Sequence, residues 1–474
     1  MTHSSATSNT RTARTASGTW TAQIASLGVA SILLLLPALW NGFPLLQWDT
    51  GGYLARWYEG TLVVSRSTVY GLLLVAAQTP DFWPVVIVQS ALAAWIIALV
   101  LQTHRLPKPA HVVIAIGLLT ALSSLPWLTS MLLTDIFAGL AVLCATLLTT
   151  SWMQLRVSER VALAGVIAFA AATHSATLLL LVCLIAIAAI VAIWWRTAVS
   201  RRGVVCVAGA AMVGAGLLLA GNYAVARRIA WTPGGVSILW ARMLQDGIVG
   251  RYLDEHCPRR DLQLCAYKDQ LPATADEFLW GGGRDSLFNR LGRFAGLEAE
   301  MRTIALESLL QYPAAQAKAA LAATARQLVM VGSGEGVLAY LPHTRGIIAR
   351  FTPRWADDMR AARQNAEGFV PFSTLNAIQI PVALGSLVAL LVVVARGAYR
   401  KMFGRIETLA AVILLAVVCN AAICGVFSNP HPRYGARLAW LAPLVLMMAV
   451  MAPLTRASAA ERDASVSVPR RLSR

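Results

Sequence analysis

Charge is what this chain has least of. Only 13% of its 474 residues are Asp, Glu, Lys or Arg, against roughly 25% in an ordinary soluble domain. With 57% hydrophobic residues and a mean hydropathy of +0.62, that shortage excludes a soluble globular enzyme and a disordered tail protein. Metal-binding patterns are missing too: none of the seven cysteines forms a CxxC pair, so a structural metal is not expected. What is present instead is a series of apolar runs, each about 20 residues long, from residue 22 to residue 455. Runs of that length read as a helical bundle spanning a bilayer, the expected fold class being an all-α polytopic membrane protein.

The first run, starting near Ala22, has a long polar lead and no convincing cleavage site before Trp40, so it reads as an uncleaved span. Further spans are expected at 82–103, 110–127, 131–153, 161–173, 176–195, 203–222, 377–395, 408–427 and 437–455, making ten. The stretch Val69 to Gln78 is too short to cross and reads as lying on or re-entering the membrane. Residues 161–195 form one apolar stretch that would extend about 52 Å as a single helix, too long for one crossing of a core about 30 Å thick. Thr173, His174 and Ser175 offer the turn that makes it two, the alternative being one tilted helix with a buried His.

The net charge of +17 and a pI near 10.2 suggest nucleic acid at first sight. The basic residues, however, sit between apolar runs, where the positive-inside rule explains them and no nucleic-acid partner is needed. Assigning alternate short loops to the cytoplasm collects eighteen Lys and Arg there, among them Arg105, Lys108, Arg201, Arg202, Arg400 and Lys401. The outward short loops hold only Arg56, Arg66, Arg433 and Arg437. Both termini are then cytoplasmic, in what reads as a bacterial inner membrane. The expected units are a disordered tail at 1–20, an N-terminal membrane module at 21–222, an outward helical insertion at 223–376, C-terminal spans at 377–455 and a basic tail at 456–474.

Five cysteines lie inside apolar runs, where a thiol behaves as a small hydrophobe. Cys257 and Cys265 stand apart in the polar stretch HCPRRDLQLC, spaced for a local disulfide in an oxidising compartment. The insertion carries helical spacing and no alternating Val/Ile/Thr runs. Its VGSGEG segment (Val331 to Gly336) has the composition of a phosphate loop but no preceding strand, and reads as a flexible loop.

Acidic residues are few enough to be informative: the first 222 positions hold only Asp49, Glu59, Asp81, Asp135 and Glu159. Asp49 follows the first span in NGFPLLQWDTGGY, where Gly51 and Gly52 allow a sharp turn and Tyr53 and Trp57 supply aromatic faces. Asp135 opens the fourth span in SMLLTDIFAGL. A carboxylate in hydrocarbon costs about 2.5–3.5 kcal/mol at the bilayer centre and less toward the interface, so something must offset it. A plain turn residue (Asp49) and a helix N-cap (Asp135) are the structural alternatives. His174 and the loop FSNPHPRYGARLAWL, with His431, Arg433, Tyr434 and Arg437, fall on the same outward side. Two carboxylates, a His and arginines at a lipid-level cavity suit an anionic, lipid-linked substrate, with Arg for phosphate and a carboxylate for proton removal from a hydroxyl.

An Asp in the first outward loop (Asp49 in WDTGGY), a second acid at the start of the next (Asp135 in LTDIFAG) and about ten spans resemble the GT-C glycosyltransferases, best over roughly 20–200. The resemblance implies transfer of a sugar from a polyprenyl-phosphate-linked donor to an extracytoplasmic acceptor; this chain departs from it in two ways, since many members pair two acids in the first loop and often carry their soluble domain at the C-terminus. It implies Asp49 and Asp135 as catalytic, with Asp135 assisting or binding a divalent cation. His174, Arg433, Tyr434, Arg437, Tyr53 and Arg66 are the expected substrate-binding set. The rival readings are a lipid-linked glycan polymerase or ligase, resting on His and Arg, and a transporter or flippase.

Overall fold

The computed structural model describes the backbone of residues 6–62, 64–194, 199–259, 261–366 and 372–466, with side chains between Trp20 and Pro453 except Arg284. The N-terminal body comprises α1 (Ala6–Asn41), α2 (Thr50–Glu59), α3 (Thr68–Ala76), α4 (Trp83–Thr103), α5 (Pro109–Leu122), α6 (Leu125–Thr129), α7 (Ile136–Thr150), α8 (Val157–Thr173), α9 (Ser175–Trp194) and α10 (Arg201–Ala226). The middle of the chain forms α11 (Gly235–Gln245), α12 (Ile248–His256), α13 (Ala275–Trp280), α14 (Leu287–Arg290), α15 (Arg293–Gly296), α16 (Glu298–Gln311), α17 (Pro313–Val329), α18 (Pro342–Phe351) and α19 (Ala356–Ala361). The chain returns through α20 (Phe372–Tyr399), α21 (Arg405–Phe427), α22 (Pro432–Ala439) and α23 (Leu441–Val466). No strand occurs among the described residues.

Among the described residues seven segments are long and apolar enough to cross a membrane: Trp20–Asn41 of α1, then α4, α9, α10, α20, α21 and Pro432–Pro453 across α22 and α23. The chain is in these terms a multi-pass membrane protein. Three of the ten expected spans form shorter helices instead. Ser123 and Ser124 with Pro126 end α5 early, and Asp135 starts α7 late, leaving Pro109–Leu122 and Ile136–Thr150 as short apolar helices. α8 stops at Thr173, where His174 turns extended (φ −154°, ψ 118°) before α9 begins at Ser175. The stretch 161–195 is therefore two helices and not one tilted rod, as expected; Arg196, which bounded it, lies outside the described residues. α3 fills the stretch expected at Val69 to Gln78, with Tyr70 and Leu74 buried.

α7 is the centre of the body, its positions from Ile136 to Thr149 all buried. Its neighbours come close because small residues face one another: at Gly214 of α10 a Cβ would meet the Ala168 carbonyl oxygen of α8 at 2.4 Å. Such small-residue contacts replace the hydrophobic drive that a lipid environment removes. Outward faces are apolar, as with Val182, Ile190 and Ile193 on α9 and Val388, Leu391 and Val392 on α20, matching contact with acyl chains.

The insertion, expected as one cap over 223–376, divides in two. α11 to α16 enclose a separate core of Trp240, Tyr252, Phe278, Phe288, Met301 and Ile304. α18 and α19 instead pack back on the body, Ile347, Ile348 and Met359 joining its core. The buried Gln364 fixes this return: its side chain accepts from Leu46 N and donates to Leu46 O, and its backbone N–H donates to Asn41 Oδ1 at 2.7 Å. The backbone of the expected disordered tail at 1–20 is helical from Ala6, as part of α1, and that of the expected basic tail at 456–474 is helical to Val466, as part of α23; the rest of both tails lies outside the described residues.

Cys257 and Cys265 are disulfide-bonded, with Cα atoms 5.6 Å apart and eight residues of separation. Closing so short a loop restricts the unfolded chain by about 2–3 kcal/mol on the chain-entropy account. Replacing both cysteines by Ser should lower cap stability by that amount. Mass mapping without reductant on protein from native membranes checks the bond and, since it forms where thiols oxidise, the outward placement of the cap; two free thiols would refute both.

Candidate functional site

Asp49 and Asp135 are 86 positions apart in sequence and are brought together by one short backbone pairing. Leu45 donates to Ser130 O at 2.9 Å and accepts from Leu132 N at 3.0 Å, aligning the segment after α1 with the segment before α7. Thr50 Oγ1 adds a bond to Leu132 O at 3.0 Å. Each aspartate occupies the N-cap position of its helix, α2 or α7, yet neither side chain makes a capping hydrogen bond. Both carboxylates are thus turned to other partners.

Those partners are arginines. Asp49 holds an ion pair with Arg66 through one oxygen, and Arg433 Nη1 donates to the other at 2.7 Å. Arg433 also lies 3.5 Å from Asp135 through its Nε, beyond hydrogen-bond reach, and neither Asp135 oxygen has a hydrogen-bond partner. One guanidinium therefore serves two buried carboxylates. Gly51 and Gly52 do not make the expected sharp turn. They begin α2, and their missing side chains admit α18 and Arg66: a Cβ at Gly51 would meet Thr344 Cα at 2.7 Å, and one at Gly52 would meet the Arg66 side chain at 3.1 Å.

These groups border a cavity of about 410 Å³. Of the expected residues, Asp49, Arg66, His174, Arg433 and Tyr434 line it. Asp135, Tyr53 and Arg437 are not on its wall. Asp135 sits behind Arg433; Tyr53 is buried, its hydroxyl 3.4 Å from Thr134 Oγ1. Arg437 is wholly buried, bonded to Asn420 Oδ1 at 2.9 Å and packed with its guanidinium 5.6 Å from the Tyr434 ring centre. These three hold the wall in place. The remaining wall is mostly apolar, with Leu179, Leu218, Trp231, Ile238 and Phe427, and carries polar groups such as Thr68 and Asn222, bonded to each other at 3.1 Å.

The VGSGEG segment corrects its reading as a flexible loop. Ser333 is tied to Asn376 and Gln379 of α20, and Gly336 O accepts from Trp48 N at 3.1 Å, one residue before Asp49. At Gly336 (φ +77°) a Cβ would also strike the Gln47 side chain at 2.3 Å. Glu335 accepts from the Arg433 backbone N at 2.9 Å and lies 2.7 Å from His431 Nδ1. The segment is a strap joining the stretch after α1 to the start of α22. Its one sequence signal was a lone acid between glycines, in a region otherwise free of acids back to Glu307.

His431 extends the strap to the cap, its Nε2 lying 3.5 Å from Asp276 of α13. Burial works against its charged form, but the hydrogen bonds and charges of Asp276 and Glu335 outweigh it and hold the imidazole up at about 9. The hydrogen bond from His431 in turn keeps the Asp276 carboxyl below its usual range. A folded-state value raised above about 6.5 stabilises fully below that pH and is lost as pH rises through 9. Asp276 supplies the opposite limb, present above about 3.9 and lost as pH falls through its depressed value. The thermal midpoint of the wild type should therefore fall between pH 6.5 and 9 more steeply than that of His431→Gln; parallel curves would remove this latch.

Among the described residues no group of three or more His, Cys, Asp or Glu converges on a point where a metal ion could sit. Comparison of the chain with protein-family models, curated proteins and solved structures finds no match, so the functional reading rests on the chemistry of this cavity.

Proposed function

We propose that the protein is a membrane glycosyltransferase of GT-C type, moving a sugar from a polyprenyl-phosphate carrier to an extracytoplasmic acceptor. The observation that carries this reading is Asp49 held between Arg66 and Arg433 on the wall of a cavity whose remaining lining is largely apolar. In this reading α5, α7 and α8 complete ten crossings with both termini cytoplasmic, and the cavity faces outward.

The pairing of Asp49 with Arg66 and Arg433 suggests the order of events. A donor phosphate competes with Asp49 for the two guanidiniums, which suit a doubly bonded oxyanion. Asp49, released, accepts the proton of the acceptor hydroxyl as its oxygen bonds to the anomeric carbon. The carbon–oxygen bond to phosphate breaks, and the lipid phosphate leaves with its charge on Arg66 and Arg433. Asp135 keeps Arg433 in place throughout. Direct displacement of this kind inverts the anomeric centre.

One feature favours a second reading: both Asp49 oxygens are occupied, so the arginines alone would serve a ligase or a flippase that binds a lipid-linked anion without using a base. Purified protein in vesicles, given polyprenyl-phosphate-linked hexoses and an extract of envelope glycans, separates the two. Transfer of labelled sugar with release of polyprenyl phosphate supports the glycosyltransferase. Donor binding without release, or movement of intact donor across the bilayer, would replace it.

A further inference from the structure

From the C-terminal half of α16 through α17, the chain presents an apolar stripe that no other described residue covers. Leu306, Leu309 and Leu310 are exposed at helical spacing, Leu310 to 85%, and the stripe passes the bend at Tyr312 and Pro313 to Leu321, exposed to 73%, and Val329. Ala314, Ala317, Ala322 and Ala325 are exposed along the same side, which also carries Lys318, one turn from both Ala314 and Leu321. A water-facing cap would carry polar side chains there.

The other faces of α17 are committed. Ala315 and Ala319 pack on the cap core. Ala323 meets the membrane-spanning α21 so closely that its carbonyl oxygen lies 2.8 Å from where a Cβ on Gly425 would stand, and Gln327 is bonded in both directions to His431. A helix clamped to a span shares the depth of that part of the span, so the uncovered stripe continues the apolar belt of α21. Charge points the same way: no Asp or Glu occurs between Glu307 and Glu335, while Lys318 and Arg326 are both exposed on α17. Apolar side chains with flanking bases and no acids are the composition of an interfacial helix, whose bases reach lipid phosphates.

We infer that α16 and α17 dock the cap into the bilayer, with Leu310 and Leu321 among acyl chains and Lys318 and Arg326 against anionic headgroups. The inference concerns the seating of the cap and stands whether or not the cavity transfers sugar. It orients the cap above the cavity through the strap and His431.

The test uses full-length protein in phosphatidylcholine vesicles, alone or mixed with phosphatidylglycerol. Nitroxides are placed at Leu310→Cys, Leu321→Cys and the exposed control Asp269→Cys, with the unsubstituted protein as label background. Collision with oxygen should exceed collision with a water-soluble nickel chelate severalfold at 310 and 321, and the reverse should hold at 269. Equal access of the chelate to all three positions would overturn the inference, and so would exclusion of both reagents from 310 and 321, which means cover by a second copy or another protein. Unsubstituted protein gives a separate readout: amide exchange across 306–329 should slow when phosphatidylglycerol is added, and identical rates would overturn the headgroup contact.

Discussion

Arg433→Ala is expected to abolish donor binding and to cost the fold about 3–5 kcal/mol, the penalty for leaving a buried charge without its partner. Arg433 is the ion-pair partner common to Asp49 and Asp135, and Asp135 is almost wholly buried with no hydrogen bond to either oxygen. Removing the guanidinium strands that carboxylate. Arg433→Lys should recover much of the stability and little of the binding, because an ammonium cannot span two carboxylates and a phosphate in one plane. The double variant Arg433→Ala with Asp135→Asn gives the sharper comparison. It should regain stability by removing the stranded charge, while binding of a lipid-linked phosphate stays lost. Thermal unfolding in detergent reads the first effect and donor titration the second. If the double variant binds donor like the wild type, Arg433 does not hold the phosphate.

Asp49→Asn should lower sugar transfer by roughly 10²–10⁴, the usual contribution of a positioned general base, while donor binding is retained or becomes tighter. The second half follows from the pairing. Asp49 occupies the same two guanidiniums that a phosphate must engage, so a neutral Asn removes a competitor. Arg433 keeps Asp135 as a partner, and Arg66, the more exposed of the two arginines, can turn to water. The loss of fold stability should therefore be small beside that of Arg433→Ala. A single-turnover measurement with bound donor separates chemistry from binding. Unimpaired transfer would reduce Asp49 to a counter-ion and favour the ligase or flippase reading.

The expected ten spans illustrate how far hydropathy carries. Seven of them form as long apolar helices, because such a run has one favourable state in lipid, a helix with its backbone groups bonded internally, and it holds even past Pro37 and Pro381. The other three needed knowledge of where backbone bonds end. Ser123, Ser124, Pro126 and Asp135 shorten two of them, and His174 closes the third. The pairing of Cys257 with Cys265 was readable for a local reason: they are near neighbours and the two cysteines outside the apolar runs.

The sequence by itself determined that this is a helical multi-pass membrane protein, where its polar insertion falls, and which scarce charges, Asp49, Asp135, His174 and Arg433 among them, had to be explained. Hydropathy period, length and the rarity of buried charge are properties of short segments, and short segments decide them. Only the tertiary structure decided which of those charges meet. The pairing of Leu45 with Ser130 and Leu132 sets Asp49 beside Asp135, and α22 then brings one arginine to both. Glu335 was read as loop because its composition is that of a loop. Its role comes from Trp48, His431 and Arg433, which lie far from it in sequence, and contacts across such separations leave no local pattern.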